Sequence, residues 1–393
     1  MTKPFRRRYG YAFPWDVVGD PDFPGRAADL GITDVVLAAT YHSTRAATPF
    51  HPKHQVVNAY RAALYRPVRP EVWCDRRLAP VKGDWVDSHD AFAEGAAALR
   101  AAGLGVTAWI VLTHNTRLGQ AHPDVAVVNC FGDSYPYALC PRHGEVREYA
   151  ATLAAEAVRA VDLDGASLEA CGQMGLAHVS HHEKTDSAWG PGAARLLAVC
   201  CCRACRQAWR RRGLDAREVV SGLRVAVLKL RDGKAPDNAS PETLLGDELA
   251  EAVLDARHAA ADALRRRVLE AIPSVGRITL HGNPDPWVAA PSPGLTMTAV
   301  SDVDSILLPC WPTGPATAEM VAAARALAPE RVGIGAYVTV LPPAEPQEIT
   351  AHVHRVAAAG ADELHLYHLG LAPPGRHRLL RHFADRSTVR ETA

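Results

Sequence analysis

Eight short apolar runs recur along the chain, each ending in polar or aromatic residues, and most are followed by an amphipathic stretch of ten or more positions. The first runs from Arg8 to Phe13 and ends near Trp15-Asp16. The second runs from Ile32 to Thr40 and ends at Tyr41-His42, and the third from Val106 to Leu112, ending at Thr113-His114-Asn115. The fourth is Asp164 to Glu169. A long helical region follows, broken by Gly, Pro and Asn residues between Asp232 and Pro241. Beyond it come Arg277 to Leu280, ending at His281, and Asp304 to Leu308, ending at Cys310-Trp311. The last two are Arg331 to Ala336, ending at Tyr337, and Glu363 to Leu366, ending at Tyr367-His368. Strands alternating with helices in this number predict an α/β chain folded as a (β/α)8 TIM barrel, one domain over residues 1–393. No strand is followed by GxGxxG or GxxxxGK[ST], so a dinucleotide or P-loop fold loses its main support. Linkers at about 41–88, 113–143 and 172–192 are long for simple connections. They are expected to form a rim over the C-terminal face of the barrel.

In a parallel barrel, ligands bind at the C-terminal strand ends. Side chains alternate along a strand, so Gly165, Ser167 and Glu169 share a face, and Glu169 stands at the tip of the fourth run. The other tips offer Asp16, Tyr41, His42, His114, His281, Trp311, Tyr337, Tyr367 and His368. A carboxyl among imidazoles can donate or accept protons near neutral pH, and aromatic faces stack on sugars or other flat substrates. Histidines with no catalytic role have little reason to fall so often at strand ends. The same His42, His114, His281 and His368 with Glu169 could ligate a divalent ion, although no HxH or HExxH spacing occurs at these tips. His181-His182-Glu183 lies in a loop, where His182 and Glu183 are candidate rim contacts.

Composition narrows the partners. The chain has 393 residues, 48% of them hydrophobic, with 43 basic and 43 acidic side chains, and this balance argues against nucleic acid. No stretch reaches the roughly 18 apolar residues of a membrane span, and the N-terminal MTKPFRRRYGYAFPW has no apolar segment behind its basic residues. A cytoplasmic protein acting on a small molecule is the expectation. The nine cysteines do not form a secreted disulfide pattern. Cys200, Cys202 and Cys205 fall within six positions and can converge on one tetrahedral ion, so a structural zinc is expected. Cys140 is the best-placed fourth ligand, with Cys171 and Cys130 as alternatives. Small buried hydrophobic cysteines on a helix are the other reading. No organic cofactor is called for.

The order CPRHGEVREY, a strand ending in Glu169, then CCCRACRQAWRRRG resembles the zinc-containing β-galactosidases of the clan A glycoside hydrolases, over Cys140 to Arg212. TYHS at Tyr41, THNTRLGQAHPD at Thr113 and HHEK at His181 look like a bacterial group of glycosidase-like barrel proteins, over most of the chain. The resemblance implies a barrel, zinc on the thiols and Glu169 as the acid of a glycosidase acting on a sugar or glycoside. Two positions depart from the clan: Leu168 stands where an Asn precedes the acid, and Tyr337 where strand seven carries a nucleophilic Glu. Hydrolysis uses two carboxyl groups. The second would have to be Asp16, Asp285 or Glu183, or Tyr337 would act instead. A lyase or isomerase on a sugar-like substrate, using Glu169 and histidines with or without a metal, and a non-catalytic carbohydrate-binding barrel are the alternatives.

Overall fold

The computed structural model describes residues 5, 7–176, 184–185 and 188–384, with side chains up to residue 380. Eight parallel strands form its centre: β1 (Arg7–Ala12), β2 (Asp34–Tyr41), β3 (Gly105–Val111), β4 (Gly165–Glu169), β5 (Arg277–His281), β6 (Ser305–Pro309), β7 (Gly333–Thr339) and β8 (Glu363–Tyr367). Each pairs with the next, and β8 returns to β1, so the sheet closes into a barrel. Every expected run supplies a strand, and the fold is the (β/α)8 barrel that the alternation predicts. The bounds of β7 differ from the expectation: it starts two residues later and continues to Thr339, so Tyr337 lies inside the strand.

The outward residues Ile110, Leu168, Ile306, Leu308, Ile334 and Leu364 are fully buried beneath the helices. The longest excursion, between β4 and β5, carries helices Pro191–Leu197, Arg203–Arg211, Ala216–Arg231, Pro241–Leu245 and Asp247–Ala271. The last of these packs along helix Gly144–Val158, which precedes β4. Helix Ala91–Ala101 begins at Asp90, whose carboxylate accepts from Ala93 N at 3.1 Å. Arg66 donates to that carboxylate and also to the carbonyls of Ala157 and Arg159, tying the end of helix Gly144–Val158 to the start of its neighbour.

Inside the barrel, polar groups meet at the N-terminal end. Arg277 donates to Glu363 at 2.5 Å, Ser305 donates to its other oxygen at 2.5 Å, and His365 Nε2 stands 3.4 Å from that oxygen. Burial alone would raise the Glu363 carboxyl, but these partners hold it down at about 2. The alternating glycines of β7 make room for this cluster. A Cβ at Gly333 would stand 2.7 Å from Glu363 Oε1, and one at Gly335 would stand 2.9 Å from the His365 ring.

Two of the long linkers contain structure of their own. The linker after β2 carries the hairpin Thr44–Ala47/Val56–Ala59, and the one after β3 carries helix Thr116–Ala121 and the hairpin Ala126–Val128/Ser134–Leu139. These elements are too short to show a hydrophobic period. Among the described residues, no helix is long and apolar enough to cross a membrane.

Candidate active site

Glu169 closes β4 at the C-terminal mouth and is 6% exposed. Its aim is set by the backbone on either side. Leu112 N donates to the Glu169 carbonyl at 3.0 Å, and Ala170, directly after it, takes a left-handed φ of 53° that turns the chain sharply away. Thr113 Oγ1 then donates to the Ala170 carbonyl at 2.7 Å, fastening the tip of β3 to that turn.

Among the described residues, the Glu169 side chain receives one direct hydrogen bond, from Trp109 Nε1 to Oε2 at 2.7 Å. His281 Nδ1 lies 3.9 Å from the same oxygen. Burial pushes the Glu169 carboxyl up to about 7, and the Trp109 bond works against that rise. Burial also keeps His281 neutral, with its value lowered to about 3. Below Glu169, Ser167 Oγ is 3.0 Å from His281 Nε2 and 3.0 Å from the Tyr11 hydroxyl, which is itself 3.4 Å from Nε2. Trp109 and Tyr11 were not singled out from sequence. The period-two reading that placed Glu169 would also have placed Trp109 inward, two positions before Val111.

Aromatic rings surround this carboxyl. Tyr337 sits 4.5 Å from Tyr11 and 5.5 Å from Tyr367, and Trp311 stacks on Tyr367 at 5.0 Å. Tyr41 stands edge-on to Trp109 at 4.6 Å. His42 stacks between Tyr41, at 4.2 Å, and His114, at 4.1 Å. Structure thus brings Tyr41, His42, His114, Glu169, His281, Trp311, Tyr337, Tyr367 and His368 to one end of the barrel. Among the described residues the buried Tyr337 hydroxyl has no hydrogen-bond partner, and burial holds its phenol well above the ordinary range.

The remaining acids differ in setting. Asp16 lies in the turn of helix after β1, where Oδ2 accepts from Phe13 N at 2.8 Å and Oδ1 is buried with no partner among the described residues. His368 Nδ1 is 3.8 Å from Oδ2. Burial raises Asp16 to about 8 and lowers His368 to about 3, so the pair is neutral at pH 7. Asp285 is engaged on both oxygens, accepting from Trp287 N at 2.9 Å and from Arg195 at 2.7 Å. His182 and Glu183 lie outside the described residues.

On the helical side of the barrel, Cys140, Cys200, Cys202 and Cys205 bring their sulfurs within 4.8 Å of one another, three of them buried. This group of four can hold a metal ion, and its spacing is that expected of a tetrahedral thiolate site. Cys130 and Cys171 are not part of it. His143 Nε2, which sequence reading did not pick out, is 3.4 Å from Cys202 Sγ. The described residues show no comparable ligand group among the histidines at the strand tips.

The sequence matches no protein-family model and no curated protein. The fold, however, matches solved glycoside hydrolases. α-L-Fucosidase isoenzyme 2 from Paenibacillus thiaminolyticus superposes with a TM-score of 0.57 at 12% identity, covering 96% of this chain and 48% of that one. The glycoside hydrolase domain of PgaB (BpsB) from Bordetella bronchiseptica gives 0.54 at 15% identity, over 95% and 98% of the two chains. The β-galactosidase from the haloarchaeon Halorubrum lacusprofundi gives 0.57 at 12%, over 98% of this chain and 59% of its own. The chain thus spans about half the length of the fucosidase and somewhat more of the galactosidase. The class defined by fold is therefore the (β/α)8 barrel, the fold these glycoside hydrolases share. At these identities the likeness extends to the fold alone.

Proposed function

We propose that the protein is a glycoside hydrolase-like enzyme acting on a sugar or glycoside, with Glu169 as its general acid/base. One observation carries the reading: a single carboxyl at the tip of β4, displaced to about 7 by burial, stands inside a ring of aromatic side chains. A carboxyl with that value holds and releases a proton at neutral pH, as protonation of a glycosidic oxygen requires. Trp311, Tyr337 and Tyr367 supply faces for the apolar side of a sugar ring. His42, His114, His281 and His368, with Tyr41, supply hydroxyl partners. His182 and Glu183 are the rim contacts this reading assigns from sequence. The four thiols take a structural zinc, which would fasten the loop after β3 to the helices after β4.

Asp16, beside His368, is the second acid this reading prefers over Asp285, whose oxygens are already engaged; to act as base or nucleophile it would first have to give up the proton that burial holds on it. The settings of these two acids also favour a second reading, a lyase or isomerase that works with one carboxyl and neutral imidazoles. Turnover of aryl and natural glycosides by the wild type beside Glu169→Gln separates the two. Hydrolysis lost in the variant by a factor of about 100 or more supports the hydrolase. No hydrolysis by either protein, with sugars still raising the melting temperature, supports the second reading or a binding barrel.

A further inference from the structure

His281 is buried, neutral and bonded on one side only to hydroxyl groups. Its Nε2 faces Ser167 Oγ at 3.0 Å and the Tyr11 hydroxyl at 3.4 Å, while Nδ1 faces Glu169 Oε2 at 3.9 Å. A neutral imidazole carries one proton, and the partner on one nitrogen decides which nitrogen holds it. Two hydroxyls can each donate to Nε2, whereas an ionised carboxylate can only accept. From this geometry we infer that Ser167 and Tyr11 are positioning residues that hold the His281 proton on Nδ1, aimed at Glu169 Oε2.

Oε2 then receives the Trp109 N–H and is faced by the His281 N–H, and Oε1 remains as the oxygen that exchanges a proton with substrate. The gap of 3.9 Å is too long for a hydrogen bond; such contacts commonly shorten when substrate binds. The chain runs across the barrel: Tyr11 comes from β1, Ser167 from β4 and His281 from β5, so closure of the sheet brings the three together. The groups facing Glu169 from the other packed elements are Trp109 on β3, Tyr41 on β2, Tyr337 on β7 and Tyr367 on β8, with His365 on β8 acting on His281. None of these phenols or the indole is charged at neutral pH, so the Trp109 hydrogen bond, with the His281 N–H aimed at the same oxygen, supports the ionised form. No bond is made or broken in this role; one proton is held at a stated atom.

The inference rests on the proposed role of Glu169 for its consequence but not for its test. Nitrogen-15 spectra of the wild type report the His281 tautomer directly, and the protonated atom is expected to be Nδ1. Carbon-13 titration of Glu169, assigned with Glu169→Gln, is expected to move upward by about half a pH unit in His281→Ala and in the Tyr11→Phe/Ser167→Ala pair, as an oriented N–H dipole is lost. His281→Asn, whose amide N–H stands near the place of Nδ1, should return it toward the wild-type value. A merely structural histidine would not show this rescue. A proton found on Nε2 in the wild type overturns the inference without any variant. So does a Glu169 midpoint unmoved in folded His281→Ala. Loss of the hydrolase reading, by contrast, would appear as unchanged turnover in Glu169→Gln with the spectra as expected.

Discussion

Asp16 and Glu169 are buried carboxyls raised to about 8 and about 7, so the native state keeps protons that the unfolded chain releases near pH 4. Each therefore contributes stability that is present below pH 4 and lost as pH rises through its native value. His281 and His368, lowered to about 3, act oppositely: their contribution is present above the unfolded value near 6.5 and lost as pH falls through the native one. The two effects compete between pH 4 and 6.5, and above 6.5 the carboxyls alone set the slope. Stability is expected to decline from pH 6.5 to 8.5. Asp16→Asn should make that decline shallower by roughly 1 to 2 kcal/mol, read by urea unfolding at several pH values. Parallel declines in the two proteins would show that Asp16 is not protonated in the native state.

At the scale of elements, the thiol group joins pieces far apart in sequence. Cys140 follows the strand Ser134–Leu139, while Cys200 and Cys202 precede the helix Arg203–Arg211, which itself carries Cys205. Metal held there would be folding free energy for both excursions, because the ligands converge only in the folded chain. Purified protein is expected to contain about one zinc per chain, and Cys202→Ala to lose it together with several degrees of melting temperature. Metal analysis beside calorimetry checks this, and zinc-free protein of undiminished melting temperature would remove the proposed ion. Bound metal would tie the long excursion after β4 to the loop after β3.

Over the whole molecule, the two ends of the barrel do different work. Arg277, Ser305, His365 and Glu363 close the N-terminal end with a hydrogen-bonded polar cluster, while the C-terminal end carries Glu169. Arg277→Ala leaves the Glu363 carboxylate, 2% exposed, without its cation. A loss of about 2 to 3 kcal/mol is expected, toward the low side for a buried pair because Arg277 is partly exposed. Denaturant unfolding measures that loss. Carbon-13 titration of Glu169 should not move, since the damage lies at the opposite end. A displaced Glu169 midpoint would show that the two ends are coupled through the barrel interior.

Much of this was written in the chain. Eight apolar runs set the eight strands, because a strand buried on both sides must be apolar over its length. Period two alone faced Ser167 and Glu169 inward, and the Cys-x-Cys-x2-Cys spacing marked the thiol group. Local rules could not supply what depends on register around a closed sheet. Trp109 reaches Glu169 from the neighbouring strand, and Tyr11 reaches His281 and Ser167 from across the barrel. Nor could they foretell that Asp285 is bound by Arg195 while Asp16 is left neutral, since both outcomes follow from burial and long-range partners. Sequence determined the elements and the end of the barrel where chemistry collects, because those follow from periodicity. Tertiary structure decided which groups touch Glu169 and what charge each carries, because hydrogen bonding and desolvation arise only once the barrel has closed.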